Sequence, residues 1–133
     1  IEAMNYLLDT HSLIWYFMGS RRLRPRAREA IDECRTMGGK LLVPTIVLSE
    51  ALDIAEKGKV EFDFESMYRL IRDDPSFEIV GFTPEIFDET VKAREIKEIH
   101  DRIILATARF YGAGIISKDR VIKNSGEVAL LEP

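Results

Sequence analysis

The chain has 133 residues, 46% of them hydrophobic and 32% charged, with a net charge of −4 and a single cysteine, Cys34. That suffices for one domain with its own core, and a lone thiol excludes an internal disulfide framework and suits a reducing cytoplasm. No apolar run approaches the roughly 18 residues of a membrane span, no secretory leader is visible, and the acidic balance excludes attraction of nucleic acid by the overall field.

Ile1-Glu2-Ala3 reads as added sequence ahead of a natural start at Met4, so a single domain is expected over 4–133. Asn5–Asp9 reads as a strand, with Tyr6-Leu7-Leu8 apolar enough to be buried on both faces. A helix over 11–18 follows, placing Trp15, Tyr16 and Phe17 in core or at a dimer surface. Arg21, Arg22, Arg24, Arg26 and Arg28 then crowd into eight residues at the start of a helix over 26–37. This is the local basic patch that a nucleic-acid enzyme of net negative charge would need. The alternative is a solvated helix face. Cys34 within that helix reads as a buried structural thiol. Gly38-Gly39 ends the helix before a strand at Lys40–Pro44.

Helices are expected over 46–57 and 63–73, then a strand at Phe77–Phe82. Thr83-Pro84 supplies a capping hydroxyl and a first-turn proline for a helix over 84–95. The stretch 101–111 is apolar on most sides, as a central buried helix should be. Gly112 and Gly114 separate it from a strand at Ala113–Ser117. A short helix over 119–124 and a strand at Glu127–Leu131 complete the pattern. Alternating strands and helices predict an α/β fold, a three-layer α/β/α sandwich around a mainly parallel sheet of about five strands.

Open parallel sheets bind ligands beyond the carboxyl ends of their strands. Four acids fall there: Asp9 closing the first strand, Glu50 in the helix after the second, Asp101 opening the buried helix, and Asp119 just after Ser117. Taken singly, each aspartate is explained equally well as a helix cap. Glu50 is harder to dismiss, because Ile46, Val47 and Leu48 precede it and Ala51 and Leu52 follow. Together, four carboxylates at one edge would repel one another without a cation. An oxygen-only donor set favours Mg²⁺ or Mn²⁺, ions that activate water and offset phosphodiester charge. Thr10, Ser12 and Ser117 could orient these carboxylates or simply cap helices. His11 and His100 flank two of the acids, and a neighbour of an aspartate is more often a bystander.

At these residues the sequence resembles the PIN-domain nucleases, and among them the toxins of VapC-type toxin–antitoxin pairs. Tyr6-Leu7-Leu8-Asp9-Thr10-His11-Ser12-Leu13-Ile14-Trp15 is similar to the opening of one VapC-like subgroup, and Leu23-Arg24-Pro25-Arg26-Ala27-Arg28-Glu29-Ala30-Ile31 to its second helix. Val43-Pro44-Thr45-Ile46-Val47-Leu48-Ser49-Glu50 resembles the second motif, and Lys57-Gly58-Lys59-Val60 the basic turn after it. Asp101-Arg102-Ile103-Ile104-Leu105-Ala106-Thr107-Ala108 resembles the third, and Ile115-Ile116-Ser117-Lys118-Asp119 the fourth. Two departures stand out: Ser117 where threonine is commoner, and Glu98-Ile99-His100 where Asp-Pro-Phe is often seen. The resemblance implies a Mg²⁺- or Mn²⁺-dependent ribonuclease with Asp9, Glu50, Asp101 and Asp119 at its centre. It also implies a homodimer and a small antitoxin partner that enters the active-site groove.

Other α/β readings need residues that are missing. A receiver-type signalling domain wants an acidic pair after the first strand and a phosphoacceptor aspartate closing the third. Asp9-Thr10-His11 and Phe82-Thr83-Pro84 stand there instead. A haloacid-dehalogenase-type phosphatase wants Asp-x-Asp at the first strand, where position 11 is histidine. A PIN fold kept only as a binding module would have no use for four acids.

Overall fold

The computed structural model describes residues 4–117 and the backbone of 120–122. The elements are β1 (Tyr6–Leu8), α1 (Thr10–Met18), α2 (Pro25–Thr36), β2 (Leu41–Pro44), α3 (Thr45–Lys57), α4 (Phe64–Asp73), β3 (Phe77–Val80), α5 (Pro84–Lys92), α6 (Ile99–Tyr111), β4 (Gly114–Ser117) and β5 (Arg120–Ile122). They form a five-stranded sheet in the order β3-β2-β1-β4-β5. The first four strands are parallel and β5 runs antiparallel to β4.

Strand burial explains the sequence pattern. All residues of β1, β2 and β4 are buried, so these strands read as continuous apolar runs. β3 is covered less fully, with Glu78 exposed, as befits the edge of the sheet. Right-handed crossovers lead from β1 through α1 and α2 to β2, and from β2 through α3 and α4 to β3. The return from β3 through α5 and α6 to β4 crosses β1 in the opposite direction. The same handedness therefore puts α5 and α6 on the other face, completing the three layers. Contacts agree: α1 packs on α3 and α3 on α4, while α5 packs on α6. Leu7, Leu8, Leu13, Leu41, Leu105 and Ile115 are among the fully buried side chains that fill the two interfaces. Burying each removes roughly 1.5–3 kcal/mol of apolar exposure.

Helix ends follow local chemistry. Gly19, Gly58 and Gly112 terminate α1, α3 and α6 in the left-handed region. Thr83 accepts the Ile86 N–H, opening α5 as its Thr-Pro pair predicts. Gly39 is required for a different reason. A Cβ there would stand 2.7 Å from the Met4 carbonyl oxygen and 2.8 Å from Cys34 Sγ. Cys34 is itself buried, as expected of a structural thiol.

One expectation about the last part of the chain changes. Residues 120–122 pair with β4 as a strand, so no helix spans 119–124. A partner strand offers Val121 and Ile122 ladder hydrogen bonds that a lone helical turn cannot match. The expected strand at Glu127–Leu131 lies outside the described residues. Other elements agree within a few residues; Asp9 stands just past β1 rather than inside it. Among the described residues, no helix is long and apolar enough to cross a membrane.

The amino edge of the sheet is knitted by a polar cluster. Arg35 near the end of α2 pairs with Asp74 before β3 and donates to the Tyr16 hydroxyl at 2.9 Å. Tyr16 in turn donates to Asp32 at 2.6 Å. The Arg35 guanidinium also lies over the Phe77 ring, 5.5 Å from its centroid. Trp15, Tyr16 and Phe17 are half-buried against the core, as their helical spacing predicts.

Candidate active site

The strand order reverses direction at β1, whose neighbours are β2 and β4. Such a switch point opens a crevice beyond the carboxyl ends of the strands. The Asp9 N–H donates to the Ile116 carbonyl at 3.1 Å, so Asp9 stands in the crevice beside the end of β4. Its Oδ1 accepts the Ser12 N–H at 2.8 Å, capping α1. The cap and site readings of Asp9 are thus compatible: the bond that caps the helix also fixes the carboxylate.

Glu50 lies in the second turn of α3, half-buried, and α3 packs against α1. Its Oε1 accepts the Thr10 hydroxyl at 3.0 Å, across 40 residues of sequence. Thr10 is buried, so this bond orients a carboxylate in a place where water has little access. Of the apolar neighbours that made Glu50 conspicuous, Ile46, Val47, Leu48 and Ala51 seat α3 on the core, while Leu52 is exposed.

Asp101 sits in the first turn of α6, half-buried, but it does not cap the helix. Glu98 is the cap, accepting the Asp101 N–H at 2.8 Å. Asp101's own carboxyl is spared that role. Burial pushes it above the ordinary carboxylate range, and the negative charges of Glu98, Glu50 and Asp9 push it the same way. Only electrostatic proximity lets Glu50 and Asp9 act on Asp101, so three of the four expected acids share one environment. Asp119 lies outside the described residues.

The flanking hydroxyls differ. Ser12 is fully buried, and its Oγ has no hydrogen-bond partner among the described residues. Ser117 is buried at the end of β4. His100 is half exposed, its Nδ1 2.8 Å from Glu98 Oε1. That bond raises the imidazole pKa, and burial opposes it. His11 is exposed and its ring lies 5.6 Å from that of Trp15.

Arg21, Arg22 and Arg24 are exposed in the loop after α1. Asp9 caps the start of α1, so about 13 Å of helix separates them from the acids. Arg28 belongs to the interior scaffold, donating to the Ser20 carbonyl at 3.0 Å and lying over the Tyr16 ring. Sequence reasoning missed Glu98 as the cap. The signal was present: an acid three residues ahead of Asp101, just before an apolar run.

The donor set fits a hard divalent cation in kind. It is oxygen-only, and burial together with Glu98, Glu50 and Asp9 raises the affinity of the Asp101 carboxyl for positive charge. Among the described residues no three acids, histidines or cysteines stand close enough to form a ready-made ligand cage. Asp9, Glu50 and Asp101 are the residues that would hold such an ion.

Comparisons with known proteins agree with the fold. Two solved structures align over most of the chain. VapBC2 from Rickettsia felis, bound to a DNA fragment from its promoter, aligns with a TM-score of 0.65 and 18% identity, covering 84% of this chain and 86% of that one. A toxin–antitoxin complex from Klebsiella pneumoniae aligns with a TM-score of 0.59 and 23% identity, covering 86% of each. No curated protein matches the sequence. The family model for the PIN domain matches residues 6–127, nearly the whole chain. With strand order, switch-point acids and family match in accord, the chain belongs to the PIN domain family.

Proposed function

We propose that the protein is a metal-dependent endoribonuclease, the toxin of a VapC-type toxin–antitoxin pair. The observation that carries this reading is the shared environment of Asp9, Glu50 and Asp101, in which burial and neighbouring acids hold the Asp101 carboxyl high. Buried, mutually repelling acids are a liability in a folded protein unless a cation balances them. Asp9, Asp101 and Asp119 would hold Mg²⁺ or Mn²⁺, with Glu50 completing the set. The ion would supply an activated water and charge neutralisation at phosphorus.

The chain's own groups do the rest. Thr10 holds Glu50 through Oε1, leaving Oε2 to orient the attacking water and accept its proton. The Ser12 N–H holds Asp9 through Oδ1, and the buried Ser117 hydroxyl at the end of β4 is available to orient a carboxylate. The water oxygen forms the new bond to phosphorus, the P–O3′ bond breaks, and the 3′-oxygen takes up a proton. Products carry a 5′-phosphate and a 3′-hydroxyl. Arg21, Arg22 and Arg24 grip RNA beyond the cleft, each neutralised phosphate adding about 0.7 to the salt slope for a single strand.

The toxin assignment is supported by the solved structures of similar fold, VapBC2 and a toxin–antitoxin complex. A small antitoxin is therefore the proposed protein partner, with the enzyme and its RNA in the cytoplasm. A homodimer is supported by Phe82, Phe87 and Val91, large apolar side chains left exposed on and beside α5.

Incubating the purified protein with RNA tests the proposal. Cleavage should require Mg²⁺ or Mn²⁺, stop with EDTA, and fall by on the order of 10²–10³-fold in Asp101→Asn, the loss typical of removing one preorganised charge-stabilising group. Cleavage that persists in EDTA and in Asp101→Asn would sink it.

A further inference from the structure

Helix α1 spans the distance from the acids to the arginine loop. Its buried side holds Thr10, Ser12, Leu13 and Ile14. On the other side His11 and Met18 are exposed and Trp15 is half-buried, at the i, i+4, i+7 spacing of a single helical stripe. Asp9 caps the helix at one end, and Arg21 and Arg22 stand exposed in the loop beyond the other. At about 1.5 Å per residue, Trp15 lies about 9 Å along the axis from Asp9. The indole rests partly on the core, and its ring centroid is 5.6 Å from that of His11, the two planes tilted by 54°. The two rings form one aromatic surface between the acids and the arginines.

An RNA strand with one phosphate at the acids and another at Arg21 or Arg22 runs along α1. The helix carries no acid, lysine or arginine, so it offers the phosphates of that strand little. It can offer the bases more, because every base has a π-face and stacking on an aromatic side chain needs no hydrogen-bond partner. Aromatic rings beside a basic track are how proteins hold unpaired strands. We infer that Trp15, flanked by His11, stacks an unpaired base of the RNA one or two nucleotides from the scissile phosphate, on the side that leads to Arg21 and Arg22. The inference rests on the nuclease reading of the site. Stacking tolerates all four bases, so Trp15 fixes where the strand lies and not which base is there.

An abasic scan tests it. An RNA oligonucleotide that the wild type cleaves is made with a single abasic site at successive positions around the cut. Values of kcat/KM are measured for the wild type, Trp15→Leu and Trp15→Phe, with a thermal melt and a solution mass of each. Leucine keeps apolar packing on the core and removes the aromatic face; phenylalanine keeps a face. Trp15→Leu should lower kcat/KM about ten- to hundredfold, the range for one stacked base, and Trp15→Phe should recover most of it. At one position the missing base should cost the wild type about as much and cost Trp15→Leu nothing further. Trp15 is the chain's only tryptophan, so its fluorescence reports the contact directly. Intact RNA should quench it in the binding phase, and RNA abasic at the coupled position should not. The quenching measurement uses the wild type alone and decides the matter if the leucine variant melts early. Losses that add at every position, or quenching that survives every abasic site, overturn the inference. So does a Trp15→Leu protein that cleaves as the wild type does, with or without a change in solution mass. Wild-type protein that does not cleave RNA brings down the nuclease reading and this inference together. Wild-type cleavage without coupling brings down the inference alone.

Discussion

The two edges of the sheet treat their carboxylates in opposite ways. At the amino edge Asp74 accepts the Ser76 N–H and pairs with Arg35, and its carboxyl is held below the ordinary range, first by the Ser76 bond and then with Arg35's help. At the carboxyl edge Asp101 is pushed up, by burial and then by Glu98, Glu50 and Asp9. The first arrangement stabilises the fold by ionising; the second is destabilised by it. A lowered pKa contributes stability above the unfolded value, lost as pH falls through the folded one. A raised pKa contributes stability below the unfolded value, 3.8 for aspartate here, lost as pH rises through the folded one. One edge serves as scaffold, and the other holds negative charge that a cation can balance.

The scaffold edge should give the largest stability effect. Arg35→Ala removes the partner of Asp74, the donor to Tyr16 and the guanidinium over Phe77 together. We expect a loss of about 2–3 kcal/mol, or several degrees in melting temperature. Cleavage per folded molecule should not change. A stable Arg35→Ala protein, or one whose kcat collapses, would break the division between the edges.

Thr10→Val should act at the other edge. The variant keeps the shape but frees Glu50 Oε1, and RNA cleavage should fall about tenfold, in the range for loss of a group that orients an active carboxylate. Thr10→Ser should restore most of it, with melting temperature changed little in either. Equal activity in all three would leave Glu50 positioned by packing alone.

The smallest effect is the most diagnostic. Asp101→Asn should melt a few degrees higher than the wild type in EDTA at neutral pH, because it removes a carboxylate that the fold disfavours in ionised form. The gap should close as pH falls below 3.8, where the wild-type carboxyl becomes protonated in both states. Glu98 supplies the cap, so no capping energy is lost. Mg²⁺ should stabilise the wild type by mass action and the variant much less. A lower melting temperature for Asp101→Asn across the pH range would make Asp101 a scaffold residue like Asp74.

Much of this was legible in the sequence because burial wrote it there. Tyr6-Leu7-Leu8 and Gly114-Ile115-Ile116-Ser117 are apolar without alternation because both faces of those strands are covered, and the 101–111 stretch is apolar on most sides because Ile103, Ile104, Leu105, Ala106, Thr107 and Ala108 are all buried. Asp9, Glu50 and Asp101 stood out against that background. What could not be read depends on partners distant in sequence. Val121 and Ile122 belong to β5 because β4 offers them a ladder, which a three-residue segment cannot announce. Glu98 and Asp101 are both acids near the start of α6, and only backbone geometry decides which one caps it. The arginine run reads as one patch, yet Arg28 folds inward over Tyr16 while Arg21, Arg22 and Arg24 remain in solvent.

The central place of β1 also sets a clock. Asp9 emerges well before Asp101, but its strand is flanked by β4, and Asp101 lies on the helix that leads into β4. At about 5–20 residues per second, several seconds separate the two residues leaving the ribosome. During that time the nascent chain carries the first acid without its counterpart, beside the RNA that a nuclease would attack. An order of strands that sets β1 between β2 and β4 thereby delays assembly of the acidic crevice until Asp101 has followed Asp9 out of the ribosome.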